Sequence, residues 1–246
     1  TNDLEASNLD DGSSGFLDCF SAFSLKNLDK YNSLKNYKYN NPQDTDPALS
    51  LYEIFVTKIY DKFFKIEEGN TVVDIGGNIG LFSYYALCKG AKQVYCFEPS
   101  PTTCNVIKSN FKFNNLIIEE AAVSSQEGHI DFFEFDSNSI GSSIFSNPYL
   151  STPENVKKIT CKSINFNNYI KENNINKIDY FKIDCEGAEY EIIESLDEHY
   201  LTNNINKICL EYHLNKNGEI HTILNKLKKC NFNIVFEYGD HQINDE

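Results

Sequence analysis

The chain has 246 residues, of which 41% are hydrophobic and 24% charged, a composition typical of a globular domain with one large core. Its formal net charge is −14 and all its basic side chains are lysines, which disfavours nucleic acid and anionic membrane surfaces as partners. No apolar run reaches the roughly 18 residues of a membrane span, and no secretory signal opens the chain.

The eight cysteines are scattered and form no C-x-x-C pair. This spacing favours buried reduced thiols over zinc ligands and suits a cytoplasmic protein. The chain lacks an initial methionine, so we expect either a trimmed N-terminus or one domain of a longer protein.

The elements predicted in chain order begin with a polar, partly irregular N-terminal extension over residues 1–48, including a short helix over 15–23. The main domain is predicted to cover 49–246 and to open with an amphipathic helix over 48–64. From Thr71 onward strands and helices alternate, which indicates an α/β, doubly wound, mostly parallel sheet. The predicted strands cover 71–77, 93–100, 116–124, 128–136, 157–166, 177–187, 205–214 and 232–238, and the predicted helices after Thr71 cover 79–90, 101–114, 188–201 and 218–231.

The first predicted strand runs into the sequence VVDIGGNIG at residues 72–80. Its glycines, Gly76, Gly77 and Gly80, allow a tight turn and a close backbone approach to a ligand before the next helix begins. A dinucleotide site would have G-x-G-x-x-G and would place a pyrophosphate there, where Asp74 would repel it. An acid suits the amino-acid end of S-adenosylmethionine better, although a glycine turn without a ligand stays open.

Glu98 ends the second predicted strand, about 20 residues beyond the glycines. A carboxylate at this distance accepts hydrogen bonds from the two hydroxyls of a ribose, in NAD as in S-adenosylmethionine. Pro99 and Ser100 are then expected beside the adenine, and Glu120 or the backbone near Ala121 is expected to face the adenine amine.

Two later strand ends carry ionisable residues. Lys182, Asp184 and Glu186 alternate by two, which predicts a shared strand face, and Glu211 and His213 do the same. An ion pair at a helix start is the structural alternative for the first group. His213 is a candidate general base, as are Asp184 and Glu186.

Together, VVDIGGNIG, VYCFEPSP, IDYFKIDCEGAEYEII and LEYH resemble the FkbM family of S-adenosylmethionine-dependent methyltransferases over about residues 50 to 240. The resemblance implies a Rossmann-like, seven-stranded sheet with an antiparallel last strand, and O-methylation of a hydroxyl on a polyketide, sugar or glycan. This chain has Gly77 where the family usually has alanine. The resemblance assigns the cofactor to Asp74, Gly76, Asn78, Gly80, Glu98 and Asp184, and the acceptor to Lys182, Glu186, Glu211 and His213.

The sequence therefore predicts an S-adenosylmethionine-dependent O-methyltransferase that acts on a sugar, glycan or similar polyhydroxylated molecule. We expect in-line methyl transfer assisted by a general base. Carboxylates such as Asp184 and Glu186 suit a divalent metal, but no neighbouring acid–amide pair completes a ligand set, so we expect no metal. The chain is also a candidate for one domain of a longer glycan-modifying protein. The polar loop over 137–154 is expected to contact the acceptor. The alternatives are an NAD-dependent oxidoreductase and a non-catalytic glycan-binding domain that keeps the methyltransferase fold.

Overall fold

The computed structural model describes residues 48–135, 156–213 and 220–235. Its strands are β1 Thr71–Ile75, β2 Gln93–Phe97, β3 Leu116–Glu119, β4 Ala122–Ser124, β5 Gly128–Phe135, β6 Val156–Asn165, β7 Tyr180–Ile183 and β8 Ile208–Leu210. Its α-helices are α1 Ala48–Leu51, α2 Leu81–Cys88, α3 Pro101–Asn110, α4 Phe166–Glu172, α5 Glu189–Ser195, α6 Glu198–Asn204 and α7 Ile220–Lys229. A π-helical turn, Tyr52–Thr57, and a 3-10 turn, Ile59–Asp61, follow α1.

A five-stranded parallel sheet forms the centre of the described chain, in the order β3-β2-β1-β7-β8. The chain crosses from one side of β1 to the other between β3 and β7, so the order reverses beside β1. Doubly wound sheets bind their ligands at such a switch point, beyond the carboxyl ends of the strands. A second sheet, in the order β4-β6-β5, pairs β4 with β6 in parallel and β5 with β6 antiparallel.

Each face of the central sheet is covered by its own apolar core, as expected for strands that are buried on both sides. Successive residues of β1 alternate between the two cores: Val72 packs on the side of α2 and α3, and Val73 packs on the side of α4, α5 and α7. Asp74 follows Val72 on the α2 face, and in β7 Lys182 takes the same face as Tyr180. The strands thus bring two charged residues into an otherwise apolar layer.

The predicted α/β class with a parallel central sheet is confirmed, but several element boundaries were wrong. The strand predicted over 116–124 is two strands, because the chain leaves the central sheet after Glu119 and β4 joins the second sheet. The helix predicted over 188–201 is broken between α5 and α6, where Asp197 caps α6 through its side chain. The strand predicted over 205–214 keeps only three residues.

The single seven-stranded sheet with an antiparallel last strand is not confirmed. Within the described residues the strands divide into sheets of five and three. Residues 232–235 of the predicted last strand have no regular secondary structure, and 236–238 lie outside the described residues. The predicted helix over 15–23 and the loop over 137–154 also lie outside the described residues.

The segment before β1 is fastened to the sheet domain by buried polar contacts. The Asp61 carboxylate accepts hydrogen bonds from the Tyr85 hydroxyl at 2.6 Å and from Lys89 Nζ at 2.8 Å, both from the α2 region. The Tyr180 hydroxyl donates to the backbone oxygen of Tyr60. These contacts hold residues 50–61 over the edge of the sheet where the ligand site is expected.

No helix in the three described ranges is long and apolar enough to cross a membrane. Seven of the eight cysteines fall in those ranges and all seven are free thiols.

Candidate active site

A cavity of about 370 Å³ lies at the carboxyl edge of the central sheet, within the usual size range of small-molecule sites. Residues that follow β1, β2, β7 and β8 meet there, and residues 50–60 close one side. The lining residues used below are Glu53, Tyr60, Gly76, Asn78, Phe97, Glu98, Pro99, Ala121, Asp184, Glu186 and Glu211.

The glycine turn after β1 is packed against two neighbouring strand ends. Gly76 has φ +80°, and a Cβ there would lie 1.7 Å from the backbone oxygen of Asp184, so only glycine fits. The backbone N–H groups of Gly76 and Gly77 both donate to the Phe97 oxygen, at 3.1 and 3.0 Å. The turn is thereby held close to the ends of both β2 and β7.

Glu98 is buried at the end of β2 and faces this turn. Its Oε2 accepts the backbone N–H of Asn78 at 2.8 Å, and its Oε1 accepts that of Ser100 at 2.9 Å. Burial raises the pKa of Glu98 to about 7, even though the hydrogen bonds from Ser100, Thr103 and Asn78 lower it. Each carboxylate oxygen still has a lone pair for a ligand hydroxyl.

Asp74 and Lys182 form a buried ion pair between adjacent strands. They are register partners, and Lys182 Nζ lies 3.1 Å from Asp74 Oδ1, 3.0 Å from the Gly76 oxygen and 3.4 Å from Asp184 Oδ2. Ser83 donates to Asp74 Oδ2 at 2.7 Å. Burial lowers the Lys182 pKa, but the Asp74 and Asp184 carboxylates outweigh burial and raise it well above its usual value, so the ammonium stays charged.

Asp184 follows β7 and projects into the cavity. The Tyr60 hydroxyl donates to its Oδ2 at 3.1 Å, so the segment before β1 contributes directly to the site. Lys182 contacts the same oxygen. With 22% of its side chain exposed, Asp184 remains accessible to a ligand.

His213 follows β8 and is surrounded by carboxylates. Its Nδ1 lies 3.0 Å from Glu189 Oε1, and its Nε2 lies 3.3 Å from Glu186 Oε2 and 3.8 Å from Glu211 Oε1. Glu189 is fully buried and also accepts the backbone N–H groups of Cys185 and Gly187.

This environment shifts the protonation of His213 and Glu211. Burial lowers the His213 pKa, but the Glu189 hydrogen bond and the charges of Glu186, Glu189 and Asp184 outweigh burial and raise it to about 9. The Glu211 pKa rises to about 7, through burial and the Asp184 charge. With no cation bound, this raised pKa favours the protonated His213 imidazole near neutral pH, whereas the general-base role predicted for His213 needs the neutral ring.

A known protein-family model matches the part of the chain that forms this site. The family model of the methyltransferase FkbM domain matches residues 74–234, from the end of β1 to beyond α7. The chain belongs to the FkbM methyltransferase family. Its predicted cofactor, S-adenosylmethionine, is confirmed with the family.

The curated relatives of this FkbM chain have low sequence identity to it. Methyltransferase 1 of Beauveria bassiana is 24% identical over 209 residues, covering 76% of this chain and 82% of the relative. Methyltransferase sdnD of Sordaria araneosa is 25% identical over 184 residues, covering 60% and 68%. Hexuronic acid methyltransferase AglP of Haloferax volcanii is 24% identical over 149 residues, covering 60% of this chain and 57% of that protein.

The FkbM cavity suits S-adenosylmethionine in the chemistry of its donors and acceptors. Asn78 lines the cavity, and its Oδ1 is buried without a hydrogen-bond partner in the described part of the chain. Glu98 and Asp184 offer carboxylate oxygens, and Phe97 and Ala121 offer apolar surface. A positively charged, ribose-bearing cofactor requires this combination.

The predicted cofactor residues of the FkbM site do not all reach the cavity. Gly76, Asn78, Glu98, Pro99, Ala121 and Asp184 are among the described lining residues. Asp74 is enclosed by Lys182 and Ser83, and Gly77 and Gly80 are buried in the turn. Ser100 caps α3, accepting the Thr103 N–H, and Glu120 points outward in an ion pair with Lys108.

On the acceptor side, Glu186 and Glu211 line the cavity and His213 lies against them, whereas Lys182 is buried in its ion pair. The predicted strand alternation does not explain why these acids lie together, because β7 and β8 end at Ile183 and Leu210, before Glu186 and Glu211.

Two residues of the site were missed in the sequence: Tyr60, whose partner is 124 residues away, and Glu189, which resembles an ordinary acid at a helix start. Only the G-A-E spacing after Glu186 could have pointed to Glu189.

Proposed function

We propose that this FkbM enzyme transfers a methyl group from S-adenosylmethionine to a hydroxyl oxygen of a sugar, a glycan or a similar polyhydroxylated molecule. The observation that carries the proposal is that the carboxylates of Glu98, Asp184, Glu186 and Glu211 line one cavity at the carboxyl edge of the sheet. Carboxylates bind hydroxyl groups as hydrogen-bond acceptors and take up their protons.

We assign the cofactor to Gly76, Asn78, Glu98, Pro99, Ala121 and Asp184. S-adenosylmethionine supplies a methyl group on a positively charged sulfur. Glu98 accepts the ribose hydroxyls, and Asp184 accepts the cofactor's ammonium while Tyr60 and Lys182 hold the carboxylate in place. Asp74 acts indirectly, through Lys182.

We assign Glu211 as the proton acceptor. It lines the cavity, and 56% of its side chain is exposed, compared with 25% for Glu186 and 22% for Asp184. An acceptor molecule can therefore approach Glu211 directly. The remaining acids hold the acceptor hydroxyl near the cofactor, and alignment supplies the rest of the rate enhancement.

The charge of the cavity favours a neutral acceptor. Its described lining contains the carboxylates of Glu53, Glu98, Asp184, Glu186 and Glu211 and no lysine or histidine. An anionic acceptor has to approach these like charges, which costs binding free energy unless a cation intervenes. By its name, the relative AglP methylates a hexuronic acid, which is an anionic acceptor. The neutral acceptor proposed for this chain therefore differs in charge from that of AglP.

The test is a methyl-transfer assay with mass detection over neutral sugars, amino sugars, uronic acids, phenols and short RNA and DNA oligonucleotides. We expect transfer to a neutral polyhydroxylated acceptor, and we expect Glu211→Gln to lower turnover about 100-fold or more while S-adenosylmethionine binding is kept. Glu172→Gln, at an exposed helix position, is the matched control. Transfer to an oligonucleotide or to a carboxylate alone would overturn the proposed acceptor class, and full activity of Glu211→Gln would overturn its role.

We also propose that the domain boundary lies near residue 49. The contacts of Asp61 and Tyr60 with the sheet domain support placing residues 49–73, which precede the family match, within the same unit.

A further inference from the structure

Three side chains with metal-binding atoms converge beside the cavity. Asp184, Glu186 and His213 each place one donor atom within 4.8 Å of the other two. They come from two neighbouring turns, one after β7 and one after β8, whose strands are register partners in the central sheet. The parallel sheet thus brings together residues that are far apart in the sequence.

The His213 ring is oriented as a metal ligand. Its Nδ1 faces Glu189 Oε1, so Nε2 is directed toward Glu186 and Glu211. Metal-binding histidines typically have their second nitrogen held by a carboxylate or a carbonyl in this way. Glu189 is itself fixed by two backbone N–H groups, which leaves the ring little freedom.

The same buried carboxylate is an independent sign that a cation belongs here. Glu189 is fully buried, and its Oε2 has no hydrogen-bond partner among the described residues. A buried carboxylate oxygen without a donor is costly unless positive charge lies nearby.

The charge of the surroundings supports this. Among the described residues, five carboxylates contact His213 or Lys182, so the acidic groups of this cluster outnumber its two basic groups and leave an excess of acids. Lys182 cannot turn toward the excess, because Asp74 and the Gly76 oxygen hold its ammonium. The five carboxylates are those of Asp74, Asp184, Glu186, Glu189 and Glu211.

We propose that Asp184, Glu186 and His213 bind a divalent metal ion, with Glu189 positioning the His213 ring. Two carboxylates and one imidazole suit Mn²⁺, which accepts both oxygen and nitrogen ligands. From the sequence no metal was expected, because no neighbouring acid–amide pair completes a ligand set with Asp184 and Glu186. His213 supplies a third ligand from the next strand end.

The position of the ion next to the cavity gives it a role in the proposed reaction, and this role rests on the proposed function. A divalent cation that contacts the acceptor hydroxyl lowers the pKa of that hydroxyl and offsets the negative charge of the site. Metal binding itself does not depend on which acceptor is used.

The test uses the full chain, dialysed against EDTA and then against metal-free buffer, without cofactor or acceptor. Mn²⁺ is titrated in, and free Mn²⁺ is followed by its electron paramagnetic resonance signal. We expect one site, weakened at least tenfold in His213→Ala and in Glu186→Gln, and about tenfold in Glu189→Gln. His199→Ala, which changes an exposed histidine on α6, is expected to bind as the parent does.

The proposal is overturned if Mn²⁺, Mg²⁺ and Zn²⁺ all fail to bind, or if binding is unchanged in both His213→Ala and Glu186→Gln. Circular dichroism melts and S-adenosylmethionine titrations of each variant separate loss of the site from loss of the fold. Because the readout is metal binding, a chain that binds Mn²⁺ but methylates no hydroxyl would contradict the proposed function alone.

Discussion

Gly77 shows how one residue can depart from a family pattern for a local reason. The left-handed conformation of Gly76 and Gly80 is absent at Gly77, so its backbone tolerates a side chain. A Cβ there would nevertheless lie 2.3 Å from the sulfur of Cys96, which is fully buried in β2. The neighbouring strand therefore disfavours the usual alanine at this position.

This contact predicts a rescue. Gly77→Ala is expected to lower the free energy of unfolding by about 1–3 kcal/mol, because the extra methyl overpacks the turn. Adding Cys96→Ala removes the sulfur. The double variant is therefore expected to lose less free energy of unfolding than the two single variants lose together. Urea unfolding of all four proteins measures this coupling, and strictly additive losses would contradict the proposed clash.

At the scale of elements, the segment before β1 depends on one buried acid. Asp61→Ala leaves the Tyr85 hydroxyl and the Lys89 ammonium without their shared partner, and we expect it to destabilise the protein by about 3 kcal/mol. Because Tyr60 is the next residue along the chain, S-adenosylmethionine affinity is expected to fall as well. Urea unfolding and cofactor titration measure the two effects, with exposed Glu67→Ala as the control. Unchanged stability would show that the segment is held by its apolar contacts alone.

The sequence indicated the elements that carry strong periodicity and clear ends. β1, β2, α2 and α3 were predicted within a few residues, because glycines and a proline mark their boundaries. The break at Glu120 was not visible, since the apolar stretches on either side of Glu119 and Glu120 can also form one strand, and their division depends on which sheet each half joins. Tyr60 and Glu189 were missed for a related reason, because their partners are chosen by the tertiary fold.

At the scale of the whole molecule, negative charge shapes what the protein attracts. The net charge is −14, and the described cavity lining carries five carboxylates and no lysine or histidine, which favours the approach of a sulfonium cofactor. The ionisation of the site then couples cofactor binding to pH.

Glu98 sets the predicted pH dependence. Its pKa is raised to about 7, so in the folded protein it is protonated at pH values where the unfolded chain, with a value of 4.5, has ionised. Its contribution to stability is therefore present below pH 4.5 and is lost as the pH rises through 7. Cofactor binding runs the other way, because the ionised carboxylate is the better acceptor for the ribose hydroxyls.

We therefore expect S-adenosylmethionine affinity to fall about fivefold to tenfold when the pH is lowered from 8 to 6. Calorimetric titrations at both values measure this change. Glu98→Gln is expected to bind more weakly at pH 8 and to lose most of the pH dependence. If the variant keeps the full dependence of the parent, another group is responsible.

The contact between Gly76 and Asp184 has a consequence for anyone who recombines related enzymes. The two turns touch backbone to backbone, with no room for even a methyl group between them. A loop transplanted from a relative after β1 has therefore been selected against that relative's own turn after β7. Chimeras that exchange the two turns together should express as folded protein far more often than chimeras that exchange either turn alone.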